Sequence, residues 1–259
     1  MSKKILLDRR ELVIGLAAGT IVPLAGCADN AALGRNQLML VSQAEIERLS
    51  ATAWRDTIQR ERVLTDPAYT RRLERVGTRM AETSGLSHLD WEFVVIDSDL
   101  VNAWVLPNGK VAFYKGLMDL VETDGHVATI MGHEMGHVAG RHAAERASQQ
   151  RAAQMGMQLV GMALQTQGVD YDADMAAALG AGIQYGVILP YSREHEFEAD
   201  RLGIDYMVGA GYAARDAMDV WLAMSTMHQE RALEFTSTHP SDDARIAAMR
   251  AHIDAMGYI

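Results

Sequence analysis

The stretch His133-Glu134-Met135-Gly136-His137 decides how this chain is read. On a helix, residues four apart stand one turn apart on the same face, so His133 and His137 can aim imidazole nitrogens at one metal ion. Glu134 then sits beside that ion as a candidate general base. The flanks suit a helix: Asp124-Gly125 is a start signal, and His126 to Met131 leads into the motif without proline. Three fixed positions arise by chance in on the order of one chain in a hundred of this length, so the motif needs a partner elsewhere. Without one, two surface histidines and a salt-bridging glutamate would explain it as well.

A hydrolytic metal site needs a third protein ligand and an open position for water. Downstream, Ser192-Arg193-Glu194-His195-Glu196-Phe197-Glu198-Ala199-Asp200 runs into Arg201-Leu202-Gly203 and reads as a helix with acids in its first turns. Glu196 and Asp200 are four apart and share a face. That phase suggests Glu196 on the metal and Asp200 behind it, accepting the other N–H of a ligand histidine and fixing its tautomer. Glu194 and Glu198 share a different face and read as acids that complement the helix N-terminus. His195 stays open as an alternative third ligand.

At these two motifs the chain resembles the HtpX- and BepA-like zinc metallopeptidases, gluzincins of peptidase family M48 and relatives of the CAAX-prenyl proteases. That family couples H-E-x-x-H to a later S-R-x-x-E-x-x-A-D-x-x-G, matched here by Ser192, Arg193, Glu196, Ala199, Asp200 and Gly203. The resemblance implies a zincin-type catalytic domain, zinc as cofactor, His133, His137 and Glu196 as ligands, and Glu134 as catalytic base. It also implies Asp200 and Arg193 directly behind the ligands. Two histidines and a carboxylate accept other divalent ions as well, so zinc rests on the usual geometry of such sites and on the resemblance.

The resemblance continues upstream, where Asn102-Ala103-Trp104-Val105-Leu106-Pro107-Asn108-Gly109 looks like the family's N-A-x-x-x-P-G-G strand and turn, with Asn108 in place of the first glycine. Asn-Gly is a strong turn dipeptide, since both residues tolerate positive φ. This implies Asn102, Ala103, Trp104 and Val105 as an edge that binds the substrate backbone, as an extended peptide can add to an exposed strand. Trp104 either lines a side-chain pocket or, with Phe113, fills core. Ser237-Thr238-His239-Pro240, followed by Asp242 and Arg245, resembles the family's late T-H-P segment and brings a histidine to the cleft. His239 has two competing roles, donating to the oxyanion or occupying the open metal position and holding the enzyme inactive; a loop histidine capping the last helix is a third reading. His142 reads as a surface residue, with a place behind the ligands or on the substrate side as the alternative. His88, His126, His228 and His252 read as solvated or packing residues.

Residues 1–26 carry Lys3, Lys4 and Arg9-Arg10, then an apolar run from Leu12 to Leu24, then Leu24-Ala25-Gly26-Cys27. This is the pattern of a signal peptide with a lipobox, and it predicts lipidation of Cys27 and a tether over 27–41. The apolar run is short and broken by Pro23, which argues against a transmembrane anchor. A single cysteine leaves no intramolecular disulfide and no cysteine ligand. Asp8-Arg9-Arg10-Glu11-Leu12-Val13 resembles a twin-arginine export signal, and Ala28 rather than aspartate favours the outer membrane of a Gram-negative cell. The expected location is the periplasmic face of a bacterial membrane.

At 259 residues and 49% hydrophobic content, the chain suffices for one sizeable core. The formal charge of -10 argues against nucleic acid and against a polybasic grip on anionic lipid. Helices are expected over 42–62 and 67–83, a small antiparallel sheet from Trp91 to Ile96 and the hairpin about Asn108-Gly109, and helices thereafter. The fold class is therefore α+β, mostly helical, with one catalytic domain over 42–259. Residues 148–190, rich in Ala, Gly, Met and Gln, read as a helical hairpin packed as core or as a lid whose methionines adapt to varied substrates. No repeat follows the last motif, so the tetratricopeptide extension of some relatives is not expected. The expected function is a zinc-dependent endopeptidase that degrades misfolded or unassembled envelope proteins. The alternatives are a zinc-stabilised assembly chaperone with latent protease activity and a hydrolase of a cell-wall amide.

Overall fold

Local signals set the elements in chain order along a computed structural model that describes residues 26–166, 177, 189–230, 233–240 and 243–258. Residues 1–25, which hold most of the stretch expected to be a signal peptide, lie outside the described residues, as do residues 167–176 and 178–188 of the stretch between the two metal motifs. First come β1 (Cys27–Asn30) and β2 (Arg35–Leu38), then α1 (Gln43–Arg60) and β3 (Val63–Leu64). Helix α2 (Pro67–Thr83) starts where the Asp66 side chain accepts the Ala68 N–H and Pro67 takes the first turn, a position that needs no intrahelical donor. Next are β4 (Glu92–Ile96), β5 (Ala103–Val105), β6 (Lys110–Tyr114) and α3 (Lys115–Leu120). The motif helix α4 (Asp124–Ala139) opens with the Thr123 hydroxyl accepting the His126 N–H at 3.1 Å. There follow α5 (His142–Thr166), α6 (Leu189–Gly209), α7 (Ala214–Glu230), α8 (Glu234–Thr238) and α9 (Asp243–Met256). The fold is mostly helical with a small sheet, as expected.

The sheet departs from expectation in one pairing. Its order is β3-β4-β6-β5, and β4 runs parallel to β6, with Val94 opposite Ala112, while β5 and β6 are antiparallel. The reason is a crossover: the chain leaves β4, passes outside to lay down β5, and reverses into the slot between them. The reversal is a turn in which the Gly109 N–H donates to the Leu106 carbonyl at 2.9 Å, with Pro107 at its first corner. Gly109 takes φ +85 there; Asn108 stays at negative φ, so only one residue of the dipeptide uses the left-handed region. This leaves β5 on the sheet's edge.

The described residues fall into two compact units, one drawn from Met1–Ser42 and Ala144–Ser192, the other from Gln43–Ala143 and Arg193–Ile259. In the first, the stretch expected to be a tether is a hairpin clasped to α5. Arg35 donates to both oxygens of buried Glu145 at 2.9 Å, and Gln37 Nε2 adds a third bond at 2.6 Å. Ser148 Oγ accepts the Leu40 and Val41 N–H groups at 2.9 and 3.1 Å. Farther along α5, Met155, Leu159, Val160 and Met162 stand exposed.

The second unit holds the two metal motifs. Its core joins Leu73 and Met80 of α2, Phe113 of β6, Ile130 and Met131 of α4, Met207 of α6 and Trp221 of α7, all fully buried. Helices α4 and α6 touch backbone to backbone. A Cβ on Gly132 would lie 2.6 Å from the Gly203 carbonyl oxygen, and one on Gly136 would lie 2.5 Å from that of Ala199. Each is closer than two such atoms can come.

In a helix interior, glycine to alanine normally gains about 0.5–1 kcal/mol. Here we expect Gly136→Ala to lose about 1–3 kcal/mol instead, because α4 and α6 must separate to admit the methyl. Urea midpoints of the metal-free protein will show this against Gly156→Ala, whose position on α5 has nothing within 4 Å and should follow the normal sign.

Candidate metal centre

The glycine contact sets α4 and α6 close enough for short side chains to meet. His133 and Glu134 on α4 and Glu196 and Asp200 on α6 are all buried, and His239 follows directly on the end of α8. His133 Nε2 lies 3.2 Å from His137 Nε2, 3.3 Å from Glu196 Oε2 and 3.1 Å from His239 Nδ1. His137 Nε2 lies 3.4 Å from Glu196 Oε1, and His239 Nδ1 lies 3.1 Å from Glu196 Oε2.

Those spacings test whether the group fits a metal. With metal–ligand distances of about 2.0–2.1 Å, the edge of a tetrahedral zinc site is about 3.3–3.4 Å, and the observed separations match it. The donors of His133, His137, Glu196 and His239 all lie within 4.8 Å of one another. Lone pairs this close repel unless a cation or a proton sits among them. The residues therefore fit a divalent ion.

Behind the cluster, His133 Nδ1–H donates to Asp200 Oδ1 at 2.8 Å. Arg245, fully buried on α9, grips Asp200 with Nε and Nη2 at 2.8 and 2.7 Å and lies 3.1 Å from Glu196 Oε2 through Nη1. The same Nη1 donates to the Pro240 carbonyl at 2.8 Å, and the guanidinium lies over the Trp221 ring at 4.3 Å. Burial raises a carboxylate's pKa, yet the hydrogen bonds of His133, His137 and His239 hold Glu196 well below the usual range. Asp200 is likewise held low against its burial, first by the charge of Arg245. Burial would lower His133, but Asp200 and Glu196 push it up to about 9, whereas burial carries His137 well below its ordinary value. Burial raises Glu134.

Two sequence expectations change. Arg193 is exposed, and the arginine behind the donor cluster is Arg245, which reaches it from the last helix. His142 is buried rather than on the surface: its Nδ1 lies 2.8 Å from His137 Nδ1 and its Nε2 lies 3.1 Å from Glu198 Oε2. His195 stacks on His142 and stands outside the four-donor cluster. The sequence signal for His142 was its closeness to the motif; what hid its burial is the backbone at Arg141, which turns left-handed at φ 52.

Glu134 faces the sheet. In β5, residues 102, 104 and 106 bond to β6, since the Asn102 carbonyl accepts from Tyr114 and the Leu106 N–H donates to Lys110. The main-chain groups of Ala103 and Val105 therefore point outward. The Val105 backbone lies close enough to the Glu134 carboxylate to oppose the rise in its pKa, and the Ala103 N–H donates to Asn102 Oδ1 at 2.9 Å. Trp104, half-buried, meets Trp54 of α1 edge to face with ring centres 6.0 Å apart.

Known proteins are similar to this chain over the stretch that holds the site. The family model described as Peptidase family M48 matches residues 67–253. The chain is 33% identical over 165 residues to the mitochondrial metalloendopeptidase OMA1 of Arabidopsis thaliana, covering 64% of this chain and 32% of that protein. It is 28% identical over 236 residues to the human metalloendopeptidase OMA1, covering 87% and 44%. It is 27% identical over 251 residues to the beta-barrel assembly-enhancing protease of Yersinia pestis, covering 93% and 49%. The chain thus spans a third to a half of the length of these relatives.

Two outcomes follow from the buried charges. Arg245→Met should destabilise the protein by about 3–5 kcal/mol in urea titrations, because Asp200 and Glu196 lose their counter-charge. The metal-free protein should also lose stability with rising pH. His133, raised from 6.5 to about 9, contributes fully below the lower value and nothing above the higher, a difference of roughly 3 kcal/mol. Thermal midpoints across that window, with and without metal, will check it, since a bound metal removes the dependence.

Proposed function

The chain belongs to peptidase family M48, and on that footing we propose that it is a zinc-dependent endopeptidase of the bacterial cell envelope, acting on misfolded or unassembled envelope proteins. The observation that carries this reading is the four-donor cluster with Glu134 beside it. His133, His137 and Glu196 hold the ion. When bound, zinc supplies Lewis acidity and lowers the pKa of the attacking water.

The chain's own residues do the rest. Glu134, buried and raised in pKa, takes the proton from the attacking water and returns it to the leaving amine. The outward main chain of Ala103 and Val105 offers an edge on which an extended peptide can pair, beside Glu134. An arriving peptide competes with Asn102 for the Ala103 N–H, or pairs through the other outward groups alone. Trp104 and Trp54 supply an apolar wall at that edge.

His239 supports latency rather than oxyanion stabilisation in the resting chain. Its Nδ1 stands in the donor cluster and its Nε2 lies 3.3 Å from Glu134 Oε1, so it fills the place the reacting water needs. Turnover then requires the Thr238–Pro240 segment to withdraw. The same observation favours the second reading, an assembly chaperone whose proteolysis stays suppressed.

The attachment we propose is lipid on Cys27, supported by Leu24-Ala25-Gly26-Cys27 and by the exposure of that cysteine. Among the described residues no helix is long and apolar enough to cross a membrane. The outer membrane is favoured by Ala28, and the name of the Yersinia relative supports unassembled barrel proteins as substrates.

The test compares wild type, Glu134→Gln and His239→Ala in casein cleavage, with metal content measured for each. Glu134→Gln should keep its zinc and lose at least about a hundredfold in rate, and His239→Ala should cleave faster than wild type. An active Glu134→Gln protein, or a wild type that takes up no metal, would sink the peptidase reading. Metal-loaded forms that never cleave would favour the chaperone.

A further inference from the structure

Helix α4 ends in an arrangement that the peptidase reading leaves unexplained. Its last residue is Ala139, Gly140 caps it, Arg141 turns left-handed at φ 52, and α5 starts at once with His142. Arg141 is the one non-glycine residue at positive φ among the described residues, a conformation that costs about 1 kcal/mol or more. The turn folds the chain back so that the fully buried His142 ring lies against the end of the motif helix. A Cβ on Gly140 would fall 2.3 Å from His142 Nε2, so glycine is what admits the ring.

The ring's two nitrogens each meet a partner. His142 Nδ1 lies 2.8 Å from His137 Nδ1, and His142 Nε2 lies 3.1 Å from Glu198 Oε2. Only one proton can lie between two ring nitrogens. If His137 gives Nε2 to a metal, its Nδ1 carries the proton and donates it to His142 Nδ1. His142 is then protonated at Nε2 and donates to Glu198. His133 is oriented by a carboxylate, Asp200; His137 is oriented by a neutral imidazole with a carboxylate one step farther out.

We infer that His142 is a positioning residue, fixed by Glu198 and admitted by Gly140, which sets the tautomer and ring orientation of His137 for metal binding. This rests on the reading of His137 as a ligand. A second metal on His142, His195 and Glu198, whose donors also lie within 4.8 Å of one another, fits less well. The rings of His142 and His195 stack with centres 4.2 Å apart and planes 8° apart, so their in-plane lone pairs run side by side instead of converging.

The test uses the full chain and two readouts: zinc affinity by competition with a chromogenic chelator, and the His137 tautomer by nitrogen NMR of the metal-free protein. His142→Leu should weaken zinc binding by about 10–100-fold, the usual effect of losing an outer partner of a ligand histidine. His142→Asn places an oxygen where Nδ1 stood and should restore most of that loss. Gly140→Ala, which leaves His142 in the sequence but displaces its ring, should weaken binding as well. The metal-free protein should show the His137 proton on Nδ1 in wild type and His142→Asn, and a tautomer mixture in His142→Leu. Should His142→Leu fail to fold, Gly140→Ala and Glu198→Leu carry the comparison. Unchanged affinity in His142→Leu, or an equal loss in His142→Asn, would overturn the inference, and so would a second zinc ion per chain that disappears with His142. A wild type that binds no zinc would overturn the peptidase reading instead, while the NMR readout still decides the His137–His142 bond.

Discussion

The site depends on how closely two helices approach. Gly132 and Gly136 on α4 face Ala199 and Gly203 on α6, and where larger residues would hold the axes about 8–10 Å apart, these let backbone touch backbone. Glutamate has a short reach. With α6 displaced outward by a methyl group, Glu196 would no longer reach the nitrogens of His133 and His137, and Asp200 would lose the 2.8 Å bond to His133. The small residues within and beside the two motifs are thus as much part of the site as the donors.

Closeness creates an electrostatic problem that Arg245 answers. Glu196 and Asp200 are buried side by side, and the guanidinium reaches both while also holding the Pro240 carbonyl. One side chain therefore ties the acids of α6 to the segment that presents His239. A metal adds positive charge to the same pocket and competes with the proton on His133, so metal loading and protonation are opposed states of one cluster.

The parts of this arrangement with a helical period were legible in the sequence. The four-residue spacing of His133 and His137, and of Glu196 and Asp200, places each pair on one face whatever the rest of the chain does. Pro67 likewise marks its helix start. What was hidden depends on partners distant in sequence or on local backbone geometry. The hairpin at 27–38 looked like a tether because its clasp, Glu145, is 110 residues from Arg35. Arg245 has no spacing relation to the acids it grips, and Arg193, next to them in sequence, is exposed. The parallel pairing of β4 with β6 follows from a crossover that alternation of side chains does not encode.

The outer edge of β5 has a consequence for the chain's solubility. An exposed strand with open donors is a template for other chains and a route to aggregation. Here the Ala103 N–H is taken by the Asn102 side chain, so the resting edge is partly capped by its own neighbour. The asparagine at the head of the strand thus acts as a guard, shielding it from indiscriminate pairing until a peptide competes for it.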